Sequence, residues 1–359
     1  MNLRFPFSAF RFPSRLHSAV TASPASPAPM HPFLLNRMVI TTHRSLLALA
    51  LAFACLPATS PACSICGCSL SSDWADQSFS DTAGWLASLR FEYIDQNNLR
   101  SGTRSVDTAA LVFPNADEIQ LSTISRNTIL DLGYNSGSAW GLSLSVPVHD
   151  RSHSSIVDGD IAASTSHASG VGDVRVSVRY EFASPGRTRG VMVQLGLKLP
   201  TGRTGQNFDT GPQAGTPLDR GLQLGTGTTD LLASVTGFMR PGPYWGWFAQ
   251  AQLTQPLNAH DGFRPSPSLA VNTGVRRLTS GWLTPQLQLN ARWDGRESGV
   301  NSDAANSGGT FVYLSPGLTA ELGERVSAFA FVQVPLYQRV RGLQLEPRWM
   351  LSAGVRYKF

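Results

Sequence analysis

The feature that most constrains the fold is a strict alternation of apolar and polar residues, in segments of nine to twelve residues repeated along most of the chain. The last segment is the clearest: Trp349, Leu351 and Val355 share one face, while Ser352 and Arg356 share the other. A period of two residues is that of a β-strand whose two faces meet different surroundings. The pattern therefore predicts an all-β protein.

Reading the alternation along the chain predicts twelve strands. They lie at 85–93, 126–134, 138–148, 172–182, 190–199, 229–239, 244–255, 267–277, 282–293, 310–321, 326–337 and 349–359.

The connections between these strands decide between a soluble sandwich and a membrane barrel. Five are short and rich in turn-forming residues, at 135–137, 183–188, 240–243, 279–281 and 323–325. Six are longer and polar, at 96–120, 149–171, 200–228, 256–266, 294–309 and 338–348. Short and long connections alternate, as in bacterial outer-membrane barrels with periplasmic turns and external loops. We therefore expect a transmembrane, antiparallel, up-and-down β-barrel of the outer membrane, with both termini in the periplasm.

The aromatic residues support this prediction, because many lie next to the short turns or at the C-terminus. Amphipathic rings collect where hydrocarbon meets lipid headgroups. The set is Tyr134, Trp140, Tyr180, Phe182, Phe238, Tyr244, Trp245, Trp282, Tyr357 and Phe359.

The N-terminal residues are typical of export. Arg44 precedes a short apolar run that ends before Pro57, and Ser60-Pro61-Ala62 fits a signal-peptidase site. We predict a leader or over-extended start at 1–37 and a cleaved signal peptide at 38–62. A Cys-containing periplasmic segment or plug at 63–83 and the barrel at 84–359 would follow.

The net charge of +5 does not indicate nucleic-acid binding. Residues 1–62 hold five of the 29 basic residues and none of the 24 acidic ones, so the remainder is neutral. Without a basic cluster, a DNA or RNA partner is excluded.

The polar faces of the strands are expected to line the barrel interior, because charged side chains in lipid are costly. Two interpretations remain open: a hydrated passage whose lining sets selectivity, and a narrow barrel whose inner charges satisfy one another. The predicted lining residues are Arg90, Glu92, Arg175, Arg179, Glu181, Gln286, Gln288, Asn290, Arg292, Arg356 and Lys358.

Three cysteines, Cys63, Cys66 and Cys68, open the predicted mature chain. Four interpretations compete: a Cu or Zn site completed by a partner, a disulfide with one odd thiol, lipidation of Cys63, and an inert oxidised cluster. We expect no other cofactor.

An enzyme active site is not expected. The segment from His149 to Ser155, with His167, Asp158 and Asp160 nearby, contains the residue types of a Ser-His-Asp triad. The chain has no nucleophile elbow, phosphate loop or zinc-protease motif. These residues are therefore interpreted as part of a solvated external loop.

Several glycine-containing phrases resemble a known family of barrels. They are Gly170-Val171-Gly172-Asp173-Val174-Arg175, Gly196-Leu197-Lys198-Leu199-Pro200-Thr201-Gly202, Gly225-Thr226-Gly227-Thr228-Thr229-Asp230, Val332-Gln333-Val334-Pro335-Leu336-Tyr337-Gln338 and Gly342-Leu343-Gln344-Leu345. The chain from 84 to 359 resembles the outer-membrane transporters named for the MetA pathway of phenol degradation. That resemblance implies a barrel that admits small, often hydrophobic solutes.

Together these observations predict a monomeric, passive channel or transporter for a small solute. Its expected partners are outer-membrane lipid and the barrel-assembly machinery, which would recognise the final strand ending Tyr357-Lys358-Phe359. The alternative is a barrel without a pore that anchors the cysteine cluster for periplasmic metal handling or thiol contact.

Overall fold

The computed structural model describes residues 83–278 and 281–359. The strands are β1 (Gly84–Ser101), β2 (Arg104–Ser105), β3 (Ile119–Asn135), β4 (Trp140–Ile156), β5 (Ser164–Val171), β6 (Arg175–Ala183), β7 (Arg189–Lys198), β8 (Asp230–Met239), β9 (Trp245–Pro256), β10 (Ser268–Arg277), β11 (Leu283–Asp294), β12 (Gly309–Glu321), β13 (Val326–Val340) and β14 (Leu343–Lys358). Three single turns of 3-10 helix lie at Thr108–Ala110, Pro185–Arg187 and Arg220–Leu222. No helix within the described ranges is long and apolar enough to cross a membrane.

The strands form one closed antiparallel barrel. Apart from β2 and β5, each strand pairs with the next one along the chain, and β14 pairs with β1 from Leu86↔Lys358 to Ser101↔Leu343, so the sheet has no open seam. β2 is a two-residue addition to β1, and β5 and β6 both pair with β4. These two therefore form one interrupted wall strand, and the wall has the predicted twelve strands.

The outer surface is apolar because alternate side chains point to lipid. Leu89, Leu195, Val235 and Val355 are each about half exposed, whereas Arg356, next to Val355, is buried. Closure satisfies the backbone hydrogen bonds, and the outward apolar band provides a lipid-compatible surface.

Aromatic rings surround the end of the barrel that carries the short turns. Trp85, Tyr134 and Trp140 pack in a row, with ring centroids 5.0 and 5.7 Å apart. Phe238 does not belong to this girdle, contrary to the prediction. It points inward and packs on Phe248, because it falls on the inward-facing positions of β8.

Several strands are longer than predicted, at the end opposite the short turns. β1, β3, β4, β13 and β14 continue into segments predicted as loops, and only residues 341–342 separate β13 from β14. The predicted long connection at 338–348 is therefore wrong. Beyond the lipid these extensions carry mostly polar residues, while Leu99, Ile119 and Leu345 pack together in a small buried cluster. The extensions therefore lack the apolar outward face that identifies a strand within lipid.

Candidate functional site: the barrel interior

The inward positions carry the polar residues that the sequence assigned to the interior. Glu92, Arg179, Glu181, Gln286, Gln288, Asn290 and Arg356 are buried. Arg90, Arg292 and Lys358 are partly exposed, and Arg175 is exposed. Arg90, Arg175, Arg179 and Lys358 line a common cavity inside the barrel.

This cavity has a volume of about 230 Å³ and reaches Gly84, Asn135 and Phe359. It therefore lies at the end with the short turns, which is the periplasmic end in outer-membrane barrels. Its polar lining consists of Ser88, Arg90, Asp131, Asn135, Ser143, Ser145, Arg175, Ser177, Arg179, Gln194, Ser234, Gln250, Gln252 and Lys358.

One side of the interior is charged. We define the charged wall as Arg90, Glu92, Asp131, Arg175, Arg179, Glu181, Lys198 and Asp230, which lie on β1, β3, β6, β7 and β8. Arg90 lies 3.5 Å from Glu92 and 3.7 Å from Asp131. Glu181 is paired at 2.6 Å with Arg187, from the turn after β6.

The Arg179 guanidinium lies directly over the backbone of Gly141 on β4. A Cβ atom at position 141 would lie 2.8 Å from the Arg179 Nε and Cζ atoms. Only glycine therefore leaves room for this side chain to lie flat against the wall.

The opposite side of the interior is a packed hydrogen-bond network, which we call the amide wall: Asn272, Gln286, Gln288, Asn290, Ser315 and Gln333. Asn290 donates to Asn272 at 2.9 Å and accepts from the Ser315 hydroxyl at 2.6 Å. Gln333 donates to Ser315 at 3.3 Å, which extends the network to β13. Asn290, Ser315 and Gln333 have no exposed surface, so this wall is structural packing.

Two further predicted residues lie near the amide wall. Arg292 donates to Asp294 at 2.7 Å. Arg356 donates to Ser327 at 3.1 Å and covers the ring of Phe329 at 5.4 Å. Arg292 is therefore held within its own strand, β11, and Arg356 is held by the neighbouring strand β13.

Three of the glycine-containing phrases meet at one polar junction. Asp173 accepts hydrogen bonds from the Gly202 N–H at 3.0 Å and from the Thr226 N–H and hydroxyl at 3.0 and 2.8 Å. Thr201 also donates to the Gly172 carbonyl at 2.9 Å. The phrases are far apart in sequence, but together they fix the base of the long 199–229 loop.

Lys198 is the central cation of this junction. Its Nζ atom lies 2.8 Å from Asp230 and 3.2 Å from Asp173, and all three side chains are at most 8% exposed. Sequence reasoning missed Asp173 and Asp230 as partners. The scarcity of lysine, with only Lys198 and Lys358 in the whole chain, was the available signal.

The 199–229 loop packs against the inner face of β4 and covers the edge of β5. The Arg151 Nη1 atom donates to the carbonyls of Gly221, Leu222 and Gln223 at 3.4, 2.9 and 3.3 Å. Thr165 of β5 exchanges backbone hydrogen bonds with residues 209 and 210 of the loop. β7 pairs with β6 but ends before it reaches β5. The loop therefore covers the edge of β5 that β7 leaves open.

Residues 149–155, predicted as an external loop, instead belong to β4, and alternation divides them between two faces. His153 points inward and bonds to Thr123 at 2.8 Å. Ser152 lies on the outer face, 3.2 Å from the Nδ1 atom of His167. Asp150 is 3.9 Å from the other nitrogen of His167 and bonds to Arg126 instead. The acid of a Ser-His-Asp triad orients its histidine by a hydrogen bond, and 3.9 Å is too long for one.

The cysteine cluster of Cys63, Cys66 and Cys68 lies outside the described residues. Among those that are described, no group of three or more His, Cys, Asp or Glu side chains is arranged to hold a metal ion.

No protein-family model matches this sequence, and no curated protein matches it. The fold is similar to that of an outer-membrane channel from Pseudomonas putida F1: TM-score 0.60, 12% identity, 77% of this chain and 96% of that chain covered. The transport unit of the autotransporter AIDA-I from Escherichia coli is less similar: TM-score 0.46, 10% identity, 82% and 95% covered. The translocator domain of the autotransporter NalP from Neisseria meningitidis gives a TM-score of 0.45 at 10% identity, with 79% and 92% covered.

At such identities the likeness to the Pseudomonas channel concerns the fold. With the closed twelve-stranded sheet, the apolar outer band and the aromatic girdle, it defines the class: a multi-pass β-barrel of the outer membrane.

Proposed function

We propose that the protein is a passive outer-membrane channel or transporter for a small solute and catalyses no reaction. The observation that carries the proposal is the cavity inside a closed barrel, bordered by hydroxyl, amide and charged groups. A lining of this kind supports the hydrated path that a polar solute needs through a membrane.

Two comparisons support the proposal. The Pseudomonas putida F1 protein with the same fold is an outer-membrane channel. The glycine-containing phrases resemble the MetA-pathway transporters, which implies small and often hydrophobic solutes, and three of these phrases build the junction at Asp173. We propose that this junction holds the 199–229 loop in a fixed position and so limits the width of the passage.

Solute flux into proteoliposomes tests the proposal. Purified full-length protein should let small solutes swell the vesicles, while a large oligosaccharide should stay excluded because inward side chains and the 199–229 loop narrow the interior. Vesicles with heat-denatured protein are the control. Folded barrel that admits none of the small solutes would contradict the channel.

The alternative, a barrel that anchors the cysteine cluster without a pore, remains a proposal about residues 63–83. Replacing Cys63, Cys66 and Cys68 by serine should leave solute flux unchanged if the barrel is a channel. No flux from the native chain, together with stoichiometric Cu or Zn binding that the triple variant loses, would favour the alternative instead.

A further inference from the structure

The cavity at the periplasmic end contains more positive than negative groups. Four basic side chains border it, Arg90, Arg175, Arg179 and Lys358. Against them stand the Asp131 carboxylate and the terminal carboxylate of Phe359. The groups that border the cavity therefore carry a net positive charge, of which Glu92, behind Arg90, offsets a part.

These four cations differ in whether an ion pair or close packing already occupies the charged group. Arg90 is within 3.7 Å of Glu92 and Asp131, and Arg179 is packed flat over Gly141. Arg175 is exposed to the cavity, and within the described part of the chain it has neither an ion pair within 4.0 Å nor a side-chain hydrogen bond. Arg175 interacts electrostatically with Glu92, but the ion pair that Glu92 forms at 3.5 Å is with Arg90. Within the described part of the chain, Lys358 at the rim of the cavity has no ion pair within 4.0 Å either, so Arg175 and Lys358 are the two charges that a ligand can reach. Of these two, only Arg175 carries a guanidinium.

Arg175 faces one charged and several neutral groups on the neighbouring strands. Its partner on β7 is Lys198, whose charge is already paired with Asp173 and Asp230. Ser145 of β4 is the other cross-strand partner of Arg175, and Gln194 of β7 and Ser177 of β6 also line the cavity. Gln194 donates to the Ser177 hydroxyl at 2.6 Å, which in turn pairs with Ser143. The site thus combines one planar guanidinium with hydroxyl and amide donors.

This combination is the chemistry that recognises a carboxylate. A guanidinium presents two parallel N–H donors that match the two oxygens of a carboxylate, and the bond is stronger when water is scarce. A cation would instead meet net repulsion in the cavity.

We infer that the cavity is a binding and selection site for small organic anions, with Arg175 as the anchoring charge for the carboxylate group. This inference rests on the proposed channel function and names the class of solute. It also stands as a binding claim that can be tested without conduction.

The binding test uses benzoate as the probe and ligand-observed NMR titration of the full-length protein in detergent. Arg175→Gln should weaken benzoate binding about tenfold, because a charge-assisted hydrogen bond is removed. Arg175→Lys, which keeps the charge, should retain part of the affinity. Arg325→Gln removes the same charge from an exposed periplasmic turn and should have no effect.

The selectivity test measures the reversal potential in a KCl gradient across a planar bilayer. Native protein and Arg325→Gln should favour chloride, and Arg175→Gln should move the reversal potential towards zero. The shift of electrophoretic mobility on heating should be the same for all variants, which shows that each barrel is folded.

The outcomes separate this inference from the proposed function. Conduction with unchanged benzoate affinity in Arg175→Gln, or a cation-selective native channel, overturns the anion site and leaves the channel standing. Affinity lost in Arg175→Gln but not in Arg325→Gln supports the site, even if no current flows and the channel proposal fails.

Discussion

The charged wall and the amide wall face each other across the same barrel but are built differently. Side chains of the amide wall bond to one another with no exposed surface at Asn290, Ser315 and Gln333. The charged wall contains ion pairs at Arg90 and Lys198, but it leaves Arg175 exposed to the cavity. A polar interior is therefore not automatically a pore lining: only the charged wall combines polarity with access.

Among the variants that test the difference between the two walls, the largest change in stability is expected at Lys198. Lys198→Met would leave Asp173 and Asp230 as two adjacent buried carboxylates, both in contact with Lys198 in the native chain. Breaking a buried ion pair by removing one partner costs about 3–5 kcal/mol. We expect that decrease in the free energy of unfolding in urea, measured with the barrel in lipid vesicles.

The other lysine provides the matched control. Lys358→Met removes the same group from the cavity edge and should change the free energy of unfolding by about 0.5 kcal/mol or less. Equal losses in the two variants would show that the junction around Lys198 is no different from the cavity edge.

A smaller effect is expected in the amide wall. Asn290→Ala removes one hydrogen bond each from the buried side chains of Asn272 and Ser315, which should lower the free energy of unfolding by about 1–3 kcal/mol. Gln252→Ala, on the cavity surface, is the control for stability. Because the amide wall is packing, the reversal potential should not change in Asn290→Ala; a clear shift would contradict the division into two walls.

The smallest effect depends on pH and concerns the external loops. Burial, then the fields of Glu118 and Asp303, raise the pKa of Asp219 to about 7, against opposing hydrogen bonds from the Gly221 and Arg220 backbone. Arg220 adjoins it, and Glu118 lies 3.9 Å from His153. Asp219 keeps its proton to a higher pH in the folded loop than in the unfolded chain. Protonation of Asp219 therefore stabilises the folded loop fully at low pH, and this stabilisation is lost as the pH rises through 7.

Hydrogen exchange of the 199–229 loop, corrected for intrinsic rates, should show this loss. Protection should fall about tenfold between pH 6 and pH 8. Asp219→Asn should remove the dependence, and Asp158→Asn, another loop carboxylate, should not. A native loop whose protection is the same at both pH values would show that Asp219 does not titrate there.

Much of the barrel could be predicted because lipid imposes a simple rule on each spanning strand. The alternation around Val355 and Arg356 gave both the strand and the direction of its side chains. The rule ends where lipid ends, so alternation does not identify the extensions of β4 and β14 beyond the lipid as strands.

The candidate site was harder to predict for a related reason. Alternation assigned Arg175 and Asn290 to the same interior, but it contains no information about partners across strands. Whether a polar side chain is sealed in a network or exposed to a cavity depends on the side chains of the adjacent strands. The same is true of Asp173, whose partners come from positions 198, 202 and 226.

Chemical access to the two walls tests the central claim most directly. In a chain with all four cysteines replaced by serine, Ser145→Cys places a thiol in the cavity and Ser315→Cys places one in the sealed amide wall. A negatively charged methanethiosulfonate reagent, added during planar-bilayer recording, should reduce the current through the first variant and not the second. Equal block of both variants, or block at position 315 alone, would contradict a passage along the charged wall.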